Sequence, residues 1–199
     1  MLLRLLTALL DRNFMTSEAS NVFDSIDMVL YESGTFYLSG EINDDNIGDC
    51  IRWIMAENCE GKRKELTLVI NSPGGDLYSA FGLIDMIKAS KIPVATIGVG
   101  SLMSAAFLIF ITGTKGRRRV TKNTSVMCHQ FSTYYEGKEH DAKAYEKETK
   151  YIKQRMLDIV KDSCHMDEKV IKRKLLPPSD VWLTAQECVD LGVADAIFS

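Results

Sequence analysis

The sequence is poor in the residues that metal, redox and membrane functions require. Only three histidines occur among 199 residues. His129, His140 and His165 form no HExxH or other ligand spacing, so neither a metal nor another cofactor is expected. Five cysteines (Cys50, Cys59, Cys128, Cys164 and Cys188) are scattered without a CxxC pair. That pattern speaks against a zinc or disulfide framework and suits free thiols in a reducing compartment. Long apolar runs are missing as well. The run Met1–Leu10 is interrupted by Arg4 and closed by Asp11, well short of the roughly 20 residues a membrane span needs. It lacks the shape of a signal peptide, so a short amphipathic helix or removable leader is expected there, with a cytoplasmic chain and no membrane partner. Net charge is only −3, which gives no general pull toward nucleic acid. The basic run Lys115-Gly116-Arg117-Arg118-Arg119 has no aromatic platform beside it. A solvated turn is therefore expected, with no nucleic-acid partner.

What is present is an ordinary globular composition, 46% hydrophobic and 26% charged, long enough for one domain with a sizeable core. Residues 11–29 carry weak signals, and Tyr31–Gly40 reads as a strand entering a turn. Asn43, Asp44 and Asp45 then offer caps for a helix with Ile47, Ile51, Ile54 and Met55 at helical spacing. Leu66–Ile70 is a continuous apolar strand of the kind buried on both faces of a parallel sheet. It runs into Asn71-Ser72-Pro73-Gly74-Gly75 and a second amphipathic helix bearing Leu77, Phe81, Ile84 and Ile87. Pro93–Ile97 begins a third strand, followed by Gly98-Val99-Gly100 and an apolar helical segment from about Met103. Strand, loop and helix thus recur about Tyr37, Ile70 and Ile97, predicting an α/β fold with right-handed crossovers.

Ligands in such folds gather at strand carboxyl ends, where Gly74-Gly75 and Ser104 both fall. Ser104 sits where a strand gives way to a helix, among unpaired backbone N–H groups that favour developing negative charge. It is placed either to act as a nucleophile or simply to cap the helix. Gly74-Gly75 would allow the close backbone approach of an oxyanion-binding loop, or make an ordinary tight turn. Ser125–His129 reads as a strand, so Cys128 and His129 face opposite ways and cannot form one dyad. Gln130–Gly137 is strand-prone and predicts an edge. From Asp141 to Cys164, Tyr145, Thr149, Ile152, Met156 and Ile159 or Val160 form a narrow helical stripe. That stripe packs on its own domain or against a partner. Pro177-Pro178 stiffens the approach to Asp180, and Thr184 with Glu187 forms a capping box for a last helix ended by Leu191-Gly192.

Five segments in this order resemble the Clp protease proteolytic subunits, serine peptidases of the wider ClpP/crotonase-like group. They are Ile70–Gly75, Gly100–Ala106, Thr112–Arg117, Val126–Gln130 and Asp180–Ala185. The likeness runs from about Thr35 to the C-terminus. It implies a repeated ββα spiral with a projecting strand–helix handle at about 130–164, within a peptidase domain at 31–199 preceded by an N-terminal segment at 1–30. It also implies a triad of Ser104 as nucleophile, His129 as base and acid, and Asp180 as orienter, with Gly75 and Ala105 N–H groups as the oxyanion hole. Peptide or unfolded-protein substrates, a homo-oligomer of heptameric rings, singly or as a stacked pair, and a Clp-type ATPase unfoldase are implied partners.

Two departures accompany the likeness. Ser179 stands where the family commonly has arginine, and Phe131-Ser132-Thr133-Tyr134-Tyr135 replaces its proline and glycine-rich handle strand. Competing readings are an acyl-CoA hydratase or isomerase of the same fold, a Ser-Lys peptidase, and a silent ring subunit. A serine, a histidine and an aspartate in matching contexts favour the triad.

Overall fold

The computed structural model describes residues 20–133 and 135–198; the leader expected at Met1–Leu10 lies outside them. Three successive units build the core. Strand β1 (Thr35–Ser39) leads to helix α2 (Asp44–Glu60), β2 (Leu66–Ser72) to α3 (Leu77–Ala89), and β3 (Val94–Met103) to α4 (Ala105–Ile111). Each start is chemically marked. Asn43 and Asn46 make a reciprocal capping box at α2, and Gly61 ends it in the left-handed region at φ 64°. At α3 the Asp76 carboxylate accepts from Ser79 N–H at 2.6 Å.

The expectation of three strand–loop–helix units holds, and β1, β2, β3, β4 (Arg118–Thr121) and β7 (Ala196–Phe198) lie side by side, all parallel. Burial on both faces does not hold. Along β2, Leu66, Leu68, Ile70 and Ser72 are buried, while Thr67, Val69 and Asn71 are only half-buried. The reason is topological. Each crossover steps the same way across the sheet, and right-handed crossovers in one direction place α2, α3 and α4 on one face. Among the described residues no helix packs on the other face, where Tyr37 is exposed. Helix α4 is the centre of the covered side, every residue from Ala105 to Ile111 being buried. Burial of side chains such as Phe107 and Phe110 stabilises by about 1.5–3 kcal/mol each.

Beyond β3 the chain adds β5 (Ser125–Cys128), a long helix α5 (Glu139–Cys164), α6 (Glu168–Lys174), β6 (Val181–Leu183) and α7 (Ala185–Asp190), the last opened by the expected Thr184–Glu187 capping box. Two segments differ from expectation. Helix α1 (Ser20–Glu32) occupies most of the stretch with weak signals and takes in Tyr31, which stacks on Phe36 at 5.5 Å. Its Ile26, Met28 and Val29 are exposed, although apolar residues at 22, 23, 26, 29 and 30 repeat at helical spacing. The edge strand expected at 130–137 is not formed among the described residues there. Lacking ladder partners, the segment hangs on side chains instead, with the Tyr135 ring 4.7 Å from that of Tyr145 on α5.

The α5 stripe serves its own domain in its second half, where Ile152, Met156, Leu157, Ile159 and Val160 are buried, while the first half buries nothing. Arg155 ties α5 to α3. Its guanidinium lies 4.7 Å from the Phe81 ring and 4.2 Å from that of Tyr151. It also donates to Glu148 at 2.8 Å.

The solvated-turn expectation holds for exposed Lys115 and Arg119 and fails for Arg118, which is 3% exposed. Arg118 Nε and Nη2 donate to the two Asp195 carboxylate oxygens at 3.0 and 2.7 Å. Nη1 donates to Ser163 O at 3.0 Å and Nη2 to Gly192 O at 3.2 Å. One side chain thus satisfies carbonyls near the ends of α5 and α7 while bridging β4 to the approach to β7. Burial alone would raise the Asp195 pKa, but the Arg118 hydrogen bonds and charge hold it below the usual carboxylate range. A depressed folded-state pKa contributes stability present above the unfolded value, about 3.9. That stability is lost as pH falls through the folded value. Arg118→Met should therefore cost about 3–5 kcal/mol by thermal or denaturant unfolding. Asp195→Asn should lower the melting temperature at neutral pH and flatten its decline below about pH 4.

Candidate active site

Strand β3 changes neighbours along one edge. Thr96–Gly98 pair with Arg118–Val120 of β4, and Ser101–Met103 pair with Ser125–Met127 of β5. Ser104 follows directly, its N–H donating to Met127 O at 2.9 Å. Its backbone stands at φ 53° and ψ −121°, a region that costs a non-glycine residue about 1–3 kcal/mol. Among the described non-glycine residues only His165 shares a positive φ. Ser104 occupies the cap position of α4, yet its side chain makes no capping bond. Its Oγ instead meets His129 Nε2 at 2.7 Å. The capping alternative left open by the sequence is thereby set aside.

His129 lies two residues beyond Met127, so the β3–β5 register carries the imidazole to the serine. Cys128 between them is buried in the core, where desolvation pushes its thiol pKa well up. This matches the strand alternation and leaves it no part in the site. Strand β6 runs antiparallel to β5 with Cys128 opposite Val181, so the next pair along the ladder is His129 and Asp180. The distance from His129 Nδ1 to Asp180 Oδ1 is 3.7 Å, and the aspartate side chain is 57% exposed. That is longer than a hydrogen bond. The structure therefore joins Ser104 and His129 directly and sets Asp180 beside them, in ion-pair range of a charged imidazole.

The glycine loop closes the other side. Gly74 is at φ 96°, and a Cβ there would lie 2.7 Å from Ser104 Cβ and 3.1 Å from Ala105 N. Gly75 forms a parallel bridge with Ile42 in which Ile42 N–H donates to Gly74 O at 2.8 Å and Asp76 N–H to Ile42 O at 2.9 Å. Such a bridge turns the N–H of Gly75 away from Ile42. Gly74 N–H is occupied by Ser72 Oγ at 3.1 Å. Neither Gly75 N–H nor Ala105 N–H has a protein acceptor among the described residues.

A cavity of about 560 Å³ begins at Gln130, the residue after His129, and is lined by Phe131, Met156, Leu157, Leu176 and Pro178 together with Gln154 and Lys150, Lys153 and Lys172. Gln130, which follows His129, braces it by donating to Leu176 O at 3.0 Å. Sequence reasoning missed this cavity because its walls come from three separate segments. Met156 in the α5 stripe, Phe131 and Pro178 were each visible, without a signal that they meet.

A parallel sheet that delivers a serine on a strained turn to an imidazole from the adjoining strand defines a class of α/β proteins suited to serine-dependent hydrolysis. Comparison with known proteins narrows the class. A sequence model of the family described as Clp protease matches residues 17–199, so the chain belongs to the Clp protease family and is a serine peptidase in the general sense. The match begins ahead of Thr35, from which the likeness in the sequence runs. ATP-dependent Clp protease proteolytic subunit 2 of Treponema denticola is 30% identical over 160 residues, 80% of this chain and 79% of the relative. ATP-dependent Clp protease proteolytic subunit 1 of Leifsonia xyli subsp. xyli is 27% identical over 177 residues, 89% of this chain and 87% of the relative. No helix among the described residues is long and apolar enough to cross a membrane.

The loop geometry makes a sharp contrast testable. Gly74→Ala should slow peptide cleavage by at least about 10²-fold, because its methyl displaces the serine turn. Gly116→Ala, also at positive φ (83°) but with open space around it, should leave cleavage unchanged in the same assay.

Proposed function

We propose that this protein is the proteolytic subunit of a Clp-type protease in which Ser104, His129 and Asp180 act as a catalytic triad, with Gly75 and Ala105 N–H groups as the oxyanion hole. The observation that carries the proposal is the 2.7 Å contact from Ser104 Oγ to His129 Nε2, made by a serine that forgoes its cap. A serine hydroxyl is a poor nucleophile at neutral pH and needs an adjacent base. With the neutral imidazole protonated on Nδ1, Nε2 takes the Ser104 proton as Oγ attacks the peptide carbonyl carbon. The carbonyl oxygen becomes the oxyanion, toward which the two free N–H groups would point. The imidazolium then protonates the leaving amine, the C–N bond breaks, and an acyl-serine remains. Water, deprotonated by the same Nε2, hydrolyses that ester and returns the proton to Ser104. Asp180 stabilises the imidazolium and favours the Nδ1–H tautomer. The cavity that begins at Gln130 sets Phe131, Met156 and Leu176 beside Lys150, Lys153 and Lys172, a lining that suits apolar and acidic side chains of an unfolded polypeptide.

The hydratase or isomerase alternative uses an oxyanion loop but leaves the Ser104–His129 pair without purpose. A Ser-Lys dyad has no support, because the recorded partner of Ser104 Oγ is His129. The exposed Ile26, Met28 and Val29 on α1 and the exposed Tyr37 on β1 suit a subunit that assembles into rings, with α5 and the segment before it projecting as a handle. A Clp-type ATPase that feeds the ring is proposed by likeness to the relatives' names.

A fluorophosphonate probe should label Ser104, and Ser104→Ala should abolish both labelling and peptide cleavage; a mutant that is still labelled refutes the nucleophile. Asp180→Asn should lower kcat by about 10²-fold, less than the roughly 10⁴-fold of a tightly bonded triad. An unchanged kcat removes Asp180 from the site. Light scattering should give the mass of a ring, and a monomer at working concentration would refute assembly.

A further inference from the structure

Asn71 touches none of the groups assigned to chemistry, yet it sits against the one irregularity that leads to them. Strands β2 and β3 keep register from Leu66 opposite Val94 to Ile70 opposite Gly98, then resume at Ser72 opposite Leu102. Two steps along β2 therefore match four along β3, and the surplus is a bulge. Within it, Ser101 N–H donates to the Asn71 side-chain oxygen Oδ1 at 3.0 Å rather than to a β2 carbonyl. Because the donor is an N–H, the amide must present its oxygen there. Its Nδ2 is thereby turned toward the Tyr37 hydroxyl, which accepts at 3.3 Å. Gly100 shapes the fit, since it stands at φ 61° and a Cβ on it would lie 2.8 Å from Asn71 Oδ1. At the residue Asn71 holds, β3 takes up pairing with β5, Ser101 opposite Ser125, and Ser104 follows three residues later.

We propose that Asn71 is a positioning residue for the hydrolytic reaction. Its amide oxygen replaces the missing backbone acceptor at Ser101, fixes the bulge, and so sets where Ser104 Oγ meets His129 Nε2. This rests on Ser104 being the nucleophile. Without the acceptor, the Ser101 N–H is left unpaired and the bulge is free to shift. A displacement there moves the serine against a histidine that is held independently by β5. The cavity that begins at Gln130 is walled by α5, α6 with the loop after it, and the 130–131 segment, and Asn71 lines none of it. Substrate binding should therefore be spared while turnover suffers.

The test compares three variants. Asn71→Leu keeps the size and removes the acceptor, Asn71→Asp keeps an oxygen toward Ser101, and Tyr37→Phe removes only the outer contact. In Asn71→Leu, kcat for a peptide substrate should fall about 30- to 100-fold, with KM within about twofold of wild type. Fluorophosphonate capture at Ser104 should slow in parallel. Asn71→Asp and Tyr37→Phe should stay within about threefold of wild type in kcat. Hydrogen exchange over residues 99–103 gives a readout independent of catalysis, with protection of the Ser101 amide lost in Asn71→Leu and kept in Asn71→Asp. If Asn71→Leu does not fold, Asn71→Ala is read the same way. An unimpaired Asn71→Leu, an Asn71→Asp as slow as Asn71→Leu, or a Ser101 amide already unprotected in the wild type overturns the proposal. A wild type never captured at Ser104 counts against the nucleophile, and the exchange comparison still decides the brace.

Discussion

Strand β3 hydrogen-bonds first to β4 and then to β5 along the same edge, and the site depends on that change of partner. A strand that stayed with β4 would deliver Ser104 to the wrong neighbour. By moving to β5, it brings the serine turn to Met127 O and, two residues on, to the imidazole of His129. Strand β5 in turn pairs with β6, and that antiparallel ladder, whose last pair is Cys128 and Val181, brings Asp180 to 3.7 Å from His129. Serine, imidazole and carboxylate thus come from the ends of three strands whose mutual register is fixed by backbone hydrogen bonds.

This arrangement holds one residue in a costly conformation. The Ser104 backbone lies where about 1–3 kcal/mol of strain is expected, and the surroundings offset it. Helix α4 behind it is buried along its whole length, so the turn cannot relax without uncovering Phe107 and Phe110. The bond from Ser104 N–H to Met127 O holds it from below, and Gly74 packs too closely above for any side chain. Farther away, Arg118 gathers the ends of α5 and α7 onto β4, giving the single α/β unit a polar anchor at the opposite end of the sheet from the serine.

Much of the fold was legible because its signals are local. The Asn43 cap, the Thr184–Glu187 box and the apolar run at Leu66–Ile70 each concern neighbours within a few residues, and each element formed where those signals lie. Helix α1 was missed although apolar residues at 22, 23, 26, 29 and 30 stand at helical spacing, because the segment around them is polar and Tyr31 reads equally as the start of the next strand. Arg118 looked like the arginines on either side of it. Its burial depends on Asp195, 77 residues away along the chain, a pairing no local pattern announces.

The sequence alone determined the chain's repeating strand–loop–helix units and the residues of the candidate site. Its ordered motifs, from Ile70–Gly75 to Asp180–Ala185, also determined the family. Those properties follow from local conformational preference and from residue type. Tertiary structure decided whether Ser104 caps a helix or bonds a histidine, because the choice rests on where β5 lies. It decided that α2, α3 and α4 gather on one face of the sheet, because crossover direction is a property of the whole sheet. It also set Asp180 at 3.7 Å rather than in contact, a separation governed by how β6 and its proline-stiffened approach meet β5. Distances between remote segments are fixed by pairing and packing, and those exist only once the chain has folded.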